Sequence, residues 1–105
     1  MARFDVYPNP GDHASTTPYL LDVQSNLLDG LDSRIVIPLR SMAHFAKVKL
    51  PERLKPIVTI LGKHYMLETP KMAAVPLRIL KDRVACLADD QARITDAMDF
   101  LFQGY

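Results

Sequence analysis

Apolar positions along this chain recur first with the period of short strands and, near the end, with the period of a helix. Residues 3–7 read as a first short strand. In residues 19–25, Leu21, Val23 and Ser25 face one way while Asp22 and Gln24 face the other, the two-residue repeat of a half-covered strand. Residues 34–39 are apolar on both faces in their middle, which implies cover on both sides. Pro38 has no N–H for a ladder, so it is expected to mark an edge or the strand's end. Residues 57–61 and 64–67 flank Gly62-Lys63 and read as a hairpin. Residues 72–77 and 83–87 are further short strands. Between them, residues 8–18 form a loop, since Pro8, Pro10 and Gly11 oppose both helix and ladder. Residues 41–48 suit a short helix or turn.

From Ile94 the spacing changes. Ile94, Ala97, Met98, Leu101 and Phe102 share one face at about 100° per residue, the period of an α-helix. Asp89 or Asp90 can cap it, and both suit its positive N-terminal end. Five or more short strands and one closing helix predict a mainly β fold with a C-terminal α-helix, a small barrel or sheet forming a single domain over residues 1–105.

Composition narrows the function. At this size a chain buries roughly 60–65% of its unfolded surface, enough for a small core that dimerisation would help. A net charge of +1 from 13 basic and 12 acidic residues gives no footprint for binding bare nucleic acid. Cys86 is the one cysteine, so no internal disulfide forms, and it reads as a small buried apolar side chain. The start, Met-Ala-Arg-Phe-Asp, carries no apolar core of a signal peptide, and the longest apolar runs are too short for a bilayer. The expectation is a cytoplasmic protein with no membrane partner.

Catalytic and metal chemistry is hard to assemble. His13, His44 and His64 lack metal-ligand spacing, and there is no Gly-rich phosphate loop and no paired cysteine. His64, beside Tyr65 in the hairpin, reads as strand surface. No metal, cofactor or catalytic residue is expected.

The end of the chain has more to offer. Phe102-Gln103-Gly104-Tyr105 follows the helix directly. An apolar face, a flexible glycine and an aromatic residue with a carboxylate together suggest that the terminus touches a partner. Leu27-Leu28, between Asn26 and Asp29, is a second candidate, because a turn seldom needs two leucines. The pair either plugs the barrel end or lies at a contact surface. Phe100 lies off the helix stripe, near Arg93 and Asp96, and as an exposed aromatic it favours contact with a partner.

Taken in order, Phe4-Asp5-Val6-Tyr7, Leu21-Asp22-Val23-Gln24-Ser25, Ile35-Val36-Ile37-Pro38-Leu39, Met72-Ala73-Ala74-Val75-Pro76 and Phe102-Gln103-Gly104-Tyr105 resemble the CcdB family over nearly the whole chain. These are the gyrase-poisoning toxins of toxin–antitoxin modules. The resemblance implies an SH3-like barrel of the CcdB/MazF (Kid) type with a C-terminal helix, assembled as a two-fold homodimer. It further implies a wedge between the two GyrA subunits of DNA gyrase that traps the enzyme on cleaved DNA, and neutralisation by a CcdA-like antitoxin through a disordered segment. Asp99 aligns with a family position used in gyrase recognition. Leu27 and Leu28 align with a pair near the dimer axis and the gyrase site. Gln103, Gly104 and Tyr105 align with the tail. Ile94, Met98, Leu101 and Phe102 either pack on the chain's own sheet or form the dimer interface, the former weighing more for Ile94 and Leu101. The antitoxin contacts are unassigned, because the loop at 8–18 lacks the family's usual basic side chains.

The tail departs from the family's Trp-Gly-Ile. Stacking an arginine on indole is worth about 0.5–2 kcal/mol, whereas the Gln103 amide offers hydrogen bonds worth about 1 kcal/mol net. Poisoning of an unchanged partner would fall by roughly one to three orders of magnitude, unless Tyr105 restores an aromatic face. Two alternatives follow. The chain keeps the fold but has lost or changed its gyrase target, or it cleaves RNA as the related MazF toxins do, with Arg34, Arg40, His44 and Asp22 meeting around a phosphate.

Overall fold

The structure is a computed structural model, and it describes residues 2–28, 30–44 and 52–104, without the His44 side chain. Tyr105, Asp29 and the 45–48 part of the expected helix or turn lie outside the described residues. The strands are β1 (Asp5–Pro8), β2 (Tyr19–Asp22), β3 (Ser33–Ser41), β4 (Ile57–Ile60), β5 (Lys63–Leu67), β6 (Ala73–Pro76) and β7 (Ala85–Cys86). One helix, α1 (Gln91–Gln103), follows. The fold is mainly β, a nearly closed barrel-like sheet with a C-terminal helix, as the sequence leads one to expect.

β3 is the hub. On one side it pairs antiparallel with β2, with Asp22 opposite Val36 and Tyr19 opposite Leu39. On its other side β6 covers residues Ser33 to Val36 and β5 covers Leu39 to Ser41. Pro38 sits at the seam between β6 and β5. Its carbonyl accepts the Glu68 N–H at 2.9 Å, and the N and O of a strand residue point the same way. Its missing N–H therefore faces a place where the ladder is already interrupted. Pro38 marks neither an edge nor an end; it marks a change of partner inside a central strand.

Alternation along the strands fills two cores. Val6, Leu21, Ile37, Leu39 and Leu67 point inward together with Ile94 of the helix. Tyr7, Leu20 and Val36 point to the opposite face and are covered by Leu80. The doubly apolar centre of β3 is thus explained by cover on both sides.

The hairpin forms as expected, but its turn is Leu61-Gly62. Both residues have positive φ, 51° and 80°, the requirement of a two-residue loop matched to strand twist. Strands are shorter than their apolar runs, most clearly β7, which keeps only two residues. Cys86 on that short strand is exposed, which corrects the buried reading. The helix begins at Gln91, earlier than its apolar period, because a 3-10 turn over Ala88–Asp90 leads into it. Neither aspartate caps it through its side chain; the Asp90 carboxylate instead accepts Arg93 Nη1 at 3.2 Å. Gly104 ends the helix at φ 77°, its N–H donating to the Phe100 carbonyl at 2.9 Å, a left-handed close that glycine adopts without strain. Among the described residues, no helix is long and apolar enough to cross a membrane.

Candidate partner-docking site

The residues singled out from sequence divide between two elements. Leu27 and Leu28 stand on a 3-10 turn, Asn26–Leu28. Polar neighbours hold this turn. The Leu27 N–H donates to Ser25 Oγ at 3.2 Å, the Arg3 N–H donates to Asn26 Oδ1 at 2.8 Å, and Gln24 Nε2 donates to the Leu28 carbonyl at 3.3 Å. With the backbone so tied, both leucines are turned outward. Leu27 is 94% exposed and Leu28 50% exposed. The barrel-plug alternative is therefore overturned. Leu31, which carries no signal in the local pattern, adds a third exposed leucine just beyond. Fully burying one such side chain is worth about 1.5–3 kcal/mol, and this chain by itself leaves that term uncollected.

The second element is the last half of α1. Phe102 is 71% exposed, while Met98 and Leu101 are half-buried and Met98 packs on the core. Ile94 is fully buried among the chain's own core residues and offers no surface, so its place in a dimer interface is withdrawn: the barrel consumes it first. Asp99, Gln103 and Gly104 are exposed beside Phe102. The helix end therefore presents an aromatic ring, a carboxylate, an amide and a left-handed glycine within two turns.

Phe100 is placed differently from expectation. The Arg53 guanidinium lies 4.7 Å from its ring centroid, within cation–π range. The same guanidinium makes two hydrogen bonds to Asp96, at 3.0 and 3.2 Å. Arg93 Nη2 donates to the Ile57 carbonyl at 2.6 Å. Phe100 is half-buried and helps staple the helix to the segment before β4 rather than standing free for a partner.

A buried polar network lies outside what the sequence pattern suggests. Asp22 and Arg34 are 0% and 1% exposed. Arg34 Nε donates to Asp22 Oδ2 at 2.9 Å, with Nη2 2.8 Å from the same oxygen. Asp22 Oδ1 accepts the Gln24 N–H at 3.0 Å, and Arg34 Nη2 donates to the Gln24 carbonyl at 3.3 Å. Burial pushes the Asp22 carboxyl up from its ordinary value, against the pull of Arg34 and of the Gln24 N–H. Tyr7 Oη lies 3.5 Å from Asp5 Oδ2, and burial together with the Asp5 and Asp22 carboxylates raises its phenol. Alternation over 19–25 puts Asp22 and Gln24 on one face, and the structure shows that this face is buried too. The available signal was register: with Asp22 opposite Val36, Arg34 is its diagonal neighbour on the same face.

This network holds two of the four residues offered for RNA cleavage. Asp22 and Arg34 do meet, buried at 0% and 1% exposure, while the His44 side chain lies outside the described residues. Arg40 lies instead against Glu68, at 3.9 Å. His64, in the hairpin, is exposed, its Nδ1 3.1 Å from Thr59 Oγ1, as strand surface should be. Among the described residues, no group of three or more His, Cys, Asp or Glu side chains could hold a metal ion.

Compared with known families, residues 3–104 match the family model described as CcdB protein.

Proposed function

The chain belongs to the CcdB family, the toxins of toxin–antitoxin modules, and from that premise we propose that it acts as a homodimer that poisons DNA gyrase. In this reading the dimer binds the GyrA subunits of gyrase, enters as they part, and holds the enzyme on cleaved DNA. A CcdA-like antitoxin strips it away. The observation that carries the proposal is the outward display of Leu27, Leu28 and Phe102 on a barrel that has already filled both its cores. Exposed apolar groups of this size, with the polar Asn26 beside the leucines and Asp99 and Gln103 beside Phe102 along the chain, support reading them as protein-binding surface. Two-fold pairing would present each group twice.

The family resemblance supports the following division of labour. Phe102, with Met98 and Leu101 beside it, is assigned to the dimer contact. Leu27, Leu28, Asp99, Gln103, Gly104 and Tyr105 are assigned to gyrase. The toxin breaks no bond of its own; gyrase makes the DNA break and the toxin prevents its resealing, in the cytoplasm where gyrase works. The antitoxin is proposed to reach the loop between β1 and β2 among other surfaces.

The test is a gyrase supercoiling and cleavage-complex assay with purified protein. Inhibition with accumulated cleaved DNA supports the reading. If the wild type does nothing and Gln103→Trp with Tyr105→Ile creates poisoning, the fold has been kept and the target lost.

A further inference from the structure

A cavity of about 400 Å³ lies between the β1–β2 loop, β3 and the 3-10 turn Thr69–Lys71. Three basic side chains from three elements line it: His13 from the loop, Arg40 from β3 and Lys71 from the turn. Thr16 and Thr17 add hydroxyls, and Leu20 and Pro38 supply an apolar floor. No carboxylate is among its lining residues. Glu68, outside the lining, is shared between Arg40 at 3.9 Å and Lys55 at 3.8 Å. Lys71 makes no ion pair among the described residues. Arg40 and Lys71 thus bring a guanidinium and an ammonium group to a lining that holds no carboxylate, chemistry that suits a phosphate monoester.

The loop wall is built before any ligand arrives. Asn9 Nδ2 donates to the Thr17 carbonyl at 2.8 Å, and Asn9 Oδ1 accepts the Gly11 N–H at 2.9 Å. The Thr16 and Thr17 N–H groups both donate to the His13 carbonyl, at 3.1 and 2.8 Å. The Ser41 N–H of β3 donates to the Thr16 carbonyl at 2.9 Å, which ties the loop to the strand that carries Arg40. A wall fixed in this way loses little freedom on binding. The volume exceeds what a bare phosphate fills, and the floor is apolar, so one end of the ligand should be organic.

We propose that this cavity binds a small organic phosphate, its phosphoryl group held by Arg40, Lys71 and His13 and its organic part laid on Leu20 and Pro38. The proposal rests on the cavity alone and stands or falls separately from gyrase as the target.

Adenosine 5′-monophosphate and inorganic phosphate are the probes, each titrated into the 15N-labelled protein at constant ionic strength. The expected result is saturable movement of the Thr16, Thr17 and Lys71 amide signals with the nucleotide, with the Leu27 turn unmoved. Lys71→Gln should weaken nucleotide binding about tenfold or more without changing the melting temperature, since Lys71 is exposed. Arg40→Gln should do the same, and its melting curve shows whether the fold survives loss of the Glu68 contact. Absence of local shifts, or binding indifferent to Lys71→Gln, overturns the proposal. Equal affinity for inorganic phosphate means an adventitious ion only and overturns it too.

Discussion

Replacing Asp22 by Asn tests the least visible part of this fold. The substitution keeps the shape and an oxygen for the Gln24 N–H, but removes the charge that answers Arg34. Arg34 then holds a guanidinium in a site 1% exposed, having lost the carboxylate oxygen it meets at 2.9 and 2.8 Å. Removing one partner of a buried pair costs about 3–5 kcal/mol, because the desolvated charge loses the counter-charge that offset its burial. A domain of this size has a total stability on the order of 5–15 kcal/mol. The loss is thus about a fifth or more of what holds the chain together. With a urea slope of about 2 kcal/mol per molar, the unfolding midpoint should fall by about 2 M at unchanged slope. The double variant Asp22→Asn, Arg34→Met removes both charges and keeps the acceptor for Gln24. It should recover most of the loss, leaving about 1–2 kcal/mol for the lost hydrogen bonds and altered packing. Equilibrium urea unfolding followed by circular dichroism reads all three proteins. A midpoint shift below about 0.5 M for Asp22→Asn, or a double variant as unstable as the sum of the single ones, would refute the pairing argument.

Ile94→Ala should cost about 2–5 kcal/mol in the same experiment, since the side chain is fully buried where helix meets barrel. Leu27→Asp should leave stability within about 0.5 kcal/mol, as Leu27 is 94% exposed, yet abolish gyrase poisoning; retained cleavage complexes would remove that turn from the docking face. Phe102→Glu should dissociate the proposed dimer, read as a halved mass by sedimentation velocity, with the barrel still folded. Alkaline stability follows from Tyr7, whose phenol is raised above 10.0 by burial and by Asp5 and Asp22. A raised value means that the fold favours the neutral phenol. That contribution is complete below the unfolded value and is lost as pH rises through the folded one. Unfolding in base should therefore begin above pH 10.0, together with late phenolate absorbance. Tyr7→Phe should move it to higher pH without removing it, because burial raises Tyr65 likewise.

Much of this arrangement could be read from residue order because it depends on neighbours in the chain. Period two marked the strands, period 3.6 marked the helix, and Gly62 announced a hairpin turn that needs positive φ. The exposed Leu27-Leu28 pair stood out for the same reason, since two leucines bounded by Asn26 and Asp29 have no local partner to cover them. Phe102 was found on the helix face by spacing and Gly104 as a flexible residue after it, while the left-handed close at Gly104 is seen only in the structure.

What failed were statements about which face meets what. Asp22 was assigned only to the face opposite Leu21 until β2 was set against β3 and Arg34 fell on its diagonal. Ile94 and Phe102 lie on one helical stripe, yet Ile94 is fully buried in the core and Phe102, at the helix end, is 71% exposed. Pro38 looked like an ending until β3 was seen to change partners there, and Phe100 looked free until Arg53 closed over it. Periodicity is a property of consecutive residues, so the sequence alone determined element type and the residues with unspent apolar surface. Burial, ion pairing and the cationic cavity join residues from separate strands and loops. Only the packed sheet, by choosing register and cover, could decide them.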